Sequence, residues 1–343
     1  MKPKVVITQW IHEEVIEYMS LHCDPVLNTT GETLSREEII ESAKDARGMM
    51  VFMSDCIDED FLRRCPHLEI IGAALKGFDN FDVDACTRHG IWFTIVRDLL
   101  TIPTAEITLG LLMGLSRNLI KGDHLIRKGT FTGWKPILYG AGLYGSVVGI
   151  IGMGAVGKAI AKRLRGFEAN VIYYDKNTLP QIQEDKLKAK AVSLEELLQR
   201  SDFIIPMLPL TPDTTYFIDR KALTRVKKGS YLINTGRGSV VDERAVADAL
   251  ASGRLAGYAA DVFEMEDWAR KHHPRSIPRK LVELKQKTLF TPHLGSAVDS
   301  IRREITFEAA KNILQGLKGE KPQGSINDPI PLESKSLKNV TSQ

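Results

Sequence analysis

The sequence predicts an α/β protein of two doubly wound parallel-sheet domains. Three observations carry that expectation: a glycine-bearing strand-to-helix junction in mid-chain, two separate series of short apolar runs alternating with helical patterns, and a late helical pattern with no strand to follow it. At 343 residues the chain has room for two sizeable cores. Its composition, 43% hydrophobic and 26% charged, is that of ordinary globular proteins rather than of disordered or fibrous ones.

The first series alternates β-type and helical segments over Lys4 to Thr8, Glu13 to Ser20, Pro25 to Asn28, Ser35 to Ala43, Gly48 to Met53, Asp58 to Arg64, Leu68 to Leu75 and Ile91 to Val96. A long helical stretch follows from Pro103 to about Arg127, with Pro103 and Thr104 suited to its start. The second series starts at Val147 and continues through Asn170 to Tyr174, Ala191 to Ser193, Asp202 to Leu208, Ser230 to Asn234, Leu255 to Val262 and Thr288 to Thr291. A last helix, about Val298 to Leu317, is expected to cross back to the first domain, so that two crossings frame a cleft between the domains. Glu333 to Gln343 is polar and aperiodic and is expected to be disordered.

The junction reads V-V-G-I-I-G-M-G-A-V-G from Val147 to Gly157. A lone G-x-G-x-x-G is weak evidence, but here a strand precedes it, the helical segment Ala155 to Leu164 follows, and the next strand ends in Asp175. Gly152 suits a tight turn, Gly154 lets backbone approach a pyrophosphate, and Gly157 lets the helix pack on the strand. The phosphates would then rest on the helix N-terminus at Ala155 and Val156. Asp175 is placed to accept from the ribose hydroxyls of NAD and to repel a 2′-phosphate, while Lys176 beside it partly offsets that repulsion. NAD preference with weaker use of NADP is the expected outcome.

A formal net charge of +3 is slight, and its lysines and arginines alternate with acids, which argues against nucleic acid as a partner. The apolar run at the N-terminus is too short for a signal peptide and no stretch reaches membrane-spanning length, so a cytoplasmic protein without membrane contact is expected. Cys23, Cys56, Cys65 and Cys86 show neither a CxxC pair nor histidines at ligand spacing; free thiols and no metal site are the simplest expectation.

Three segments at strand ends carry chemistry: Asn234-Thr235-Gly236-Arg237-Gly238-Ser239, Asp261-Val262-Phe263-Glu264-Met265-Glu266 and Thr291-Pro292-His293-Leu294-Gly295-Ser296. In open α/β sheets ligands bind at such ends. Arg237 offers a fork suited to an anion, His293 can take a proton, and Glu266 can fix the tautomer of that histidine.

Together with the glycine junction, R-G-S-V-V-D-E from Arg237, A-A-D-V-F-E-M-E from Ala259 and T-P-H-L-G-S from Thr291 resemble the NAD-dependent D-2-hydroxyacid dehydrogenase family, from the N-terminus to about Ser325. The resemblance implies a Rossmann NAD-binding domain, residues 100–293, inserted in a flavodoxin-like substrate domain of residues 1–99 and 294–332, and a homodimer joined through the Pro103 to Arg127 helix and its neighbours. It implies Arg237 as substrate-anion binder, His293 as acid/base, Glu266 as its partner and Asp261 near the nicotinamide amide, with Thr104, Pro209, Thr235, Arg237 and Gly295 among the residues touching the cofactor.

The chain departs from the general family pattern at Lys76, in A-L-K-G-F-D-N-F-D, and at Asp267-Trp268-Ala269-Arg270, where proline usually follows the glutamate. Both departures resemble one subgroup, the phosphonate dehydrogenases, which oxidise phosphite to phosphate with NAD. A 2-hydroxy acid presents one carboxylate, whereas phosphite near neutral pH is largely a dianion and calls for a second cation. Lys76 is expected to supply it, acting with His293, Arg237 and Glu266. Met53, Gly77, Trp134, Tyr139, Ser296 and Arg302 match further substrate positions of that subgroup. Two alternatives use the same residues: oxidation of a D-2-hydroxy acid, and an NAD(H)-sensing binding protein of the same fold.

Overall fold

Both series fold as the alternation predicts, and the local causes are visible residue by residue. A computed structural model describes residues 1–270 and 272–329. They form two compact units, Met1–Leu100 with the segment from Ala297 onward, and Thr101–Ser296. The tail expected to be disordered lies outside the described residues.

The first unit runs β1 (Lys4–Ile7), α1 (Glu13–Ser20), β2 (Asp24–Leu27), α2 (Arg36–Ala43), β3 (Gly48–Val51), α3 (Glu59–Arg64), β4 (Ile70–Ala73), α4 (Val83–Arg88) and β5 (Trp92–Thr94). Ser35 caps α2 through a reciprocal capping box with Glu38, and Asp58 and Asp82 cap α3 and α4 by accepting the N–H groups of Phe61 and Ala85. The sheet is parallel in the order β2-β1-β3-β4-β5, the flavodoxin-like winding. β3 and β4 are buried along their whole length, which explains their unbroken apolar sequence. Helix α4 is an addition to the elements read from sequence; six residues with two buried are too short to establish a period.

The second unit runs α5 (Thr101–Ser116), α6 (Leu119–Arg127), β6 (Val147–Ile151), α7 (Ala155–Leu164), β7 (Asn170–Tyr174), α8 (Gln181–Leu187), β8 (Ala189–Ala191), α9 (Leu194–Arg200), β9 (Phe203–Pro206), α10 (Arg220–Arg225), β10 (Ser230–Asn234), α11 (Glu243–Ala251), β11 (Leu255–Ala260), α12 (Arg279–Glu283) and β12 (Thr288–Phe290). Its seven strands lie in the order β12-β11-β10-β9-β6-β7-β8. The winding reverses between β6 and β9, whose paired residues include Val148 with Phe203 and Ile151 with Pro206. At such a switch point the loops leaving adjacent strands diverge and open a crevice. A final helix, α13 (Asp299–Leu317), belongs to the first unit, where Ile313 fills the space that a side chain at Gly72 of β4 would need.

Two expectations need correction. The helix anticipated from Pro103 to Arg127 is two helices, and it begins at Thr101, with Pro103 inside the first turn where its missing N–H costs nothing. The break falls at Asn118, which is left-handed (φ 55°) and donates through Nδ2 to the carbonyl of Leu138. Asparagine tolerates the left-handed turn, but the partner that holds it there arrives 20 residues later. The strand anticipated at Ala191 to Ser193 is Ala189–Ala191, because Ser193 is instead the cap of α9, accepting from Glu196 N–H.

Candidate functional site

Strand β6 delivers the chain into the crevice, and three glycines shape its passage into α7. Gly152 adopts φ 99°, and a side chain there would meet the Met207 carbonyl, so only glycine makes this turn. A side chain at Gly157 would lie 2.3 Å from the Gly152 carbonyl oxygen; its absence is what lets α7 sit close to the turn. Gly154 differs from both. It caps α7 with ordinary backbone angles and faces open space, nothing lying within 4 Å of a side chain built on it. An exposed, unobstructed backbone at a helix N-terminus is what a pyrophosphate requires, and the junction fits a dinucleotide.

Asp175, at the end of β7, accepts from the Met153 N–H at 2.6 Å through Oδ2 and from Asn177 N–H at 2.9 Å through Oδ1. The carboxylate therefore also braces the glycine turn, a task that its position in sequence did not reveal. Lys176 is exposed and pairs with Asp213 at 3.4 Å. Pro209 is exposed on the loop leaving β9, and its carbonyl accepts from Thr214 Oγ1 at 2.6 Å.

The strand ends β10, β11 and β12 carry the reactive groups. At the end of β10, Asn234 clasps the following turn, accepting from Gly236 N–H and donating to the Arg237 carbonyl. Thr235 is buried, its hydroxyl 2.6 Å from that of Thr108 on α5. Thr108 escaped the sequence reading because it sits in an apolar helical run with no motif around it. Arg237 is half-buried and donates to the Gly236 carbonyl.

After β11, Asp261 is buried, and burial pushes its carboxyl above the usual range against the opposing pull of its hydrogen bonds. Its Oδ1 accepts from Thr291 Oγ1 at 2.5 Å and Leu294 N–H at 2.7 Å, which ties the end of β12 to that of β11. That loop presents His293, which is left-handed (φ 54°) and held by its N–H to the Asp261 carbonyl at 2.8 Å. Its Nδ1 lies 2.6 Å from Glu266 Oε2, and the other oxygen of Glu266 accepts from Phe263 N–H at 2.8 Å. Both oxygens of Glu266 are thus placed, the ring is oriented, and Nε2 is the nitrogen left to exchange a proton. Gly295 packs on Asp261 and Thr104, where a side chain would stand 3.3 Å from Asp261 Oδ2 and 3.4 Å from Thr104 Oγ1. Ser296 ends this segment. Trp134 and Tyr139 lie between α6 and β6 and are 84% and 79% exposed in the single chain.

The first unit has its own group where β3 and β4 end side by side, Val51 pairing with Ala73. Met53 leaves β3 and packs on the core, its carbonyl accepting from the buried Asn80 at 3.3 Å. Lys76 and Gly77 leave β4, both half-buried. Lys76 forms no ion pair among the described residues, neither with Asp79 nor with Asp82, the acids nearest in sequence. Arg302 of α13 donates to the Ala74 carbonyl at 3.3 Å and stacks over the Phe52 ring at 5.6 Å; burial holds its guanidinium below the usual value. No group of three or more metal-ligating side chains occurs among the described residues, and no described helix is long and apolar enough to cross a membrane.

A seven-stranded doubly wound sheet with a glycine turn at its switch point, an acid closing the next strand and a histidine–glutamate pair at the strand ends defines a dinucleotide-dependent oxidoreductase. Comparison with known proteins narrows the class. Residues 109–295 match the model of the D-isomer specific 2-hydroxyacid dehydrogenase NAD-binding domain. A glyoxylate reductase of Thermococcus litoralis is 35% identical over 335 residues, covering 96% of this chain and 98% of that protein. Among solved structures, the TT0316 protein of Thermus thermophilus superposes with a TM-score of 0.84 at 30% identity, covering 94% of this chain and all of that one. An NADPH-dependent glyoxylate/hydroxypyruvate reductase of Sinorhizobium meliloti, solved with NADP and malonate, gives 0.81 at 25% identity, covering 95% and 97%. The chain belongs to the D-isomer specific 2-hydroxyacid dehydrogenase family, and its second unit is an NAD-binding domain. Of these relatives, the two named for an activity are glyoxylate reductases, not phosphonate dehydrogenases.

Proposed function

We propose that this chain is an NAD-dependent dehydrogenase that oxidises phosphite to phosphate, working in the cytoplasm as a homodimer. The observation that carries this reading is Lys76, a half-buried lysine with no ion pair among the described residues, in the segment A-L-K-G-F-D-N-F-D that resembles the phosphonate dehydrogenases. A cation held without a protein counter-charge favours an anionic ligand, and with Arg237 it makes two charges for a dianion.

In this reading His293 removes a proton from water through Nε2, with Glu266 on Nδ1 stabilising the imidazolium that forms. The activated water attacks phosphorus, forming the P–O bond as the P–H bond breaks. Bound NAD supplies the acceptor for the departing hydride. Phosphite, water and NAD+ thus give phosphate, NADH and a proton. Arg237 and Lys76 hold the anion and balance charge as the transition state forms, with Met53, Gly77, Ser296, Arg302, Trp134 and Tyr139 as further substrate contacts. Thr104, Pro209, Thr235, Asp261 and Gly295 serve the cofactor beside the glycine turn.

A second reading is favoured by the names of the relatives: interconversion of glyoxylate, or another 2-oxo acid, and its 2-hydroxy acid, with His293 exchanging the hydroxyl proton. The histidine–glutamate pair serves either reaction. NADH absorbance with phosphite or a 2-hydroxy acid, and NADH consumption with glyoxylate, decide between them. Phosphite is expected to be turned over far better, and Lys76→Ala to remove most of that activity with NAD affinity unchanged. Comparable or better rates on the organic acids overturn the phosphite assignment; tight NADH binding without turnover of any of them points to a sensor.

A further inference from the structure

Asp267 and Arg270 follow Glu266 closely in the chain, and both side chains reach the loop bearing Arg237. Asp267 is buried and accepts the Ser239 N–H at 2.8 Å through Oδ2. Arg270 donates to Ser239 Oγ, to Tyr216 Oη at 3.2 Å, and stacks over the Tyr216 ring at 4.9 Å. Tyr216 closes the ring: its backbone N–H donates to the Ser239 carbonyl at 2.7 Å and its hydroxyl to Glu264 Oε2 at 2.7 Å. The backbone N–H, carbonyl and hydroxyl of Ser239 are therefore all held, by residues within four positions of Glu266 or by a tyrosine those residues anchor.

The two backbones also touch. A side chain at Gly238 would lie 1.9 Å from the Phe263 carbonyl carbon and 2.3 Å from Glu264 N. No rearrangement of a flexible side chain could relieve that, so the turn carrying Arg237 and the turn carrying Glu266 pack backbone against backbone at this point. Glu264 and Glu243 lock the same contact from beneath, each accepting the other's backbone N–H, at 3.0 and 2.8 Å.

We infer that Asp267 and Arg270 are positioning residues that latch the Arg237 loop, through Ser239, to the turn bearing Glu266, and so fix the anion-binding guanidinium relative to the histidine–glutamate pair. The inference rests on the reading of Arg237 as the substrate-anion binder. A latch of this kind acts on substrate binding first: the glycine turn after β6 and Asp175 at the end of β7 lie outside it, so any effect on the dinucleotide passes only through the contact of Arg237 itself and stays small beside the effect on the substrate. Guanidinium geometry matters because Arg270 reaches Ser239 and Tyr216 from two separate nitrogens while its plane lies over the Tyr216 ring, a combination the compact ammonium of lysine does not match.

The test is a set of variants read on the full-length protein. Asp267→Ala and Arg270→Met should raise KM for phosphite, or for glyoxylate if that is the substrate used, by roughly tenfold, equivalent to about 1.4 kcal/mol, with NADH affinity by fluorescence titration within about twofold of wild type. Asp267→Asn, which keeps an acceptor for Ser239 N–H, should restore most of the loss, and Arg270→Lys should not. Should Asp267→Ala fail to fold, Ser239→Ala, which deletes one hydroxyl, stands in its place. Independently of turnover, phenylglyoxal modification of Arg237, followed by peptide mass spectrometry, should be faster in the unlatched variants. Unchanged substrate KM and unchanged Arg237 reactivity, or a parallel loss of NADH affinity, overturns the latch. An Arg237→Lys variant separates the two ideas: if it leaves substrate KM unaltered, the anion-binding reading itself is wrong, whereas a raised KM there with silent Asp267 and Arg270 variants refutes the latch alone.

Discussion

Gly154→Ala and Gly157→Ala form a matched pair that tests where the pyrophosphate lies. The added methyl is the same and the residues are three apart, yet the surroundings differ. At Gly157 the methyl would stand 2.3 Å from the Gly152 carbonyl oxygen, which belongs to a turn with φ 99° that cannot shift freely. Overpacking of this kind costs about 1–3 kcal/mol. In a unit of this size that is a fall in Tm of about 2–4 °C per kcal/mol. At Gly154 the methyl meets nothing within 4 Å, and φ −71° suits alanine. Alanine is the poorer helix cap by about 0.5–1 kcal/mol. It also restricts the unfolded chain by about 0.4–1 kcal/mol. These nearly cancel, so Tm should barely move. If a phosphate approaches the backbone here, however, the methyl holds it off the N–H groups, and losing one charge-assisted hydrogen bond of about 1.5–3 kcal/mol weakens NAD roughly 10- to 150-fold. Calorimetric titration with NADH and differential scanning calorimetry read the two effects separately. Wild-type affinity in Gly154→Ala, at unchanged Tm, would refute the placement of the pyrophosphate against this residue.

His293→Ala should reduce turnover by about 10²–10⁴-fold, the usual contribution of general acid–base catalysis, with NADH affinity retained; Glu266→Gln should cause a smaller loss in kcat, and unaltered kcat in either variant contradicts the assigned pair. The wild type should prefer NAD if Asp175 meets the ribose as proposed, since the charge of Lys176 is shared with Asp213. Asp175→Ala should shift the kcat/KM ratio towards NADP but also weaken NAD, since the Met153 N–H loses its acceptor; an NADP-preferring wild type would show that Lys176 governs the pocket. Burial lifts the Glu243 carboxyl to about 8, with Glu264, Asp267 and Glu266 adding to the effect. The folded value lies above the ordinary 4.5, so the stability it contributes is complete below about pH 4.5 and is lost as pH rises towards 8, at about 1.4 kcal/mol per pH unit within that window. Glu243→Gln should flatten this decline in urea-unfolding midpoints measured across the window, and parallel curves for the two proteins would contradict it.

What the sequence determined by itself is what short-range chemistry dictates. β7 and β10 occupy the segments expected of them, Asn170–Tyr174 and Ser230–Asn234, because their apolar runs are bounded by turn-forming residues. The steric demands at Gly152 and Gly157 were legible for the same reason, a strand-to-helix turn needing those features within a few residues of itself. Lys76 and Asp267-Trp268-Ala269-Arg270 stood out only as departures from a pattern. Tertiary structure decided the rest. The pairing of His293 with Glu266, 27 residues apart, was expected from the resemblance, but its geometry follows from β11 and β12 lying side by side; Thr108 meeting Thr235 across a separation of 127 was not expected at all. The bend at Asn118, the bracing of the glycine turn by Asp175 and the latching of Ser239 by Asp267 and Arg270 all depend on hydrogen-bond partners that chain folding brings from elsewhere. A polar side chain carries its donors and acceptors in the sequence, but which group satisfies them is set only when the strands take their order in the sheet.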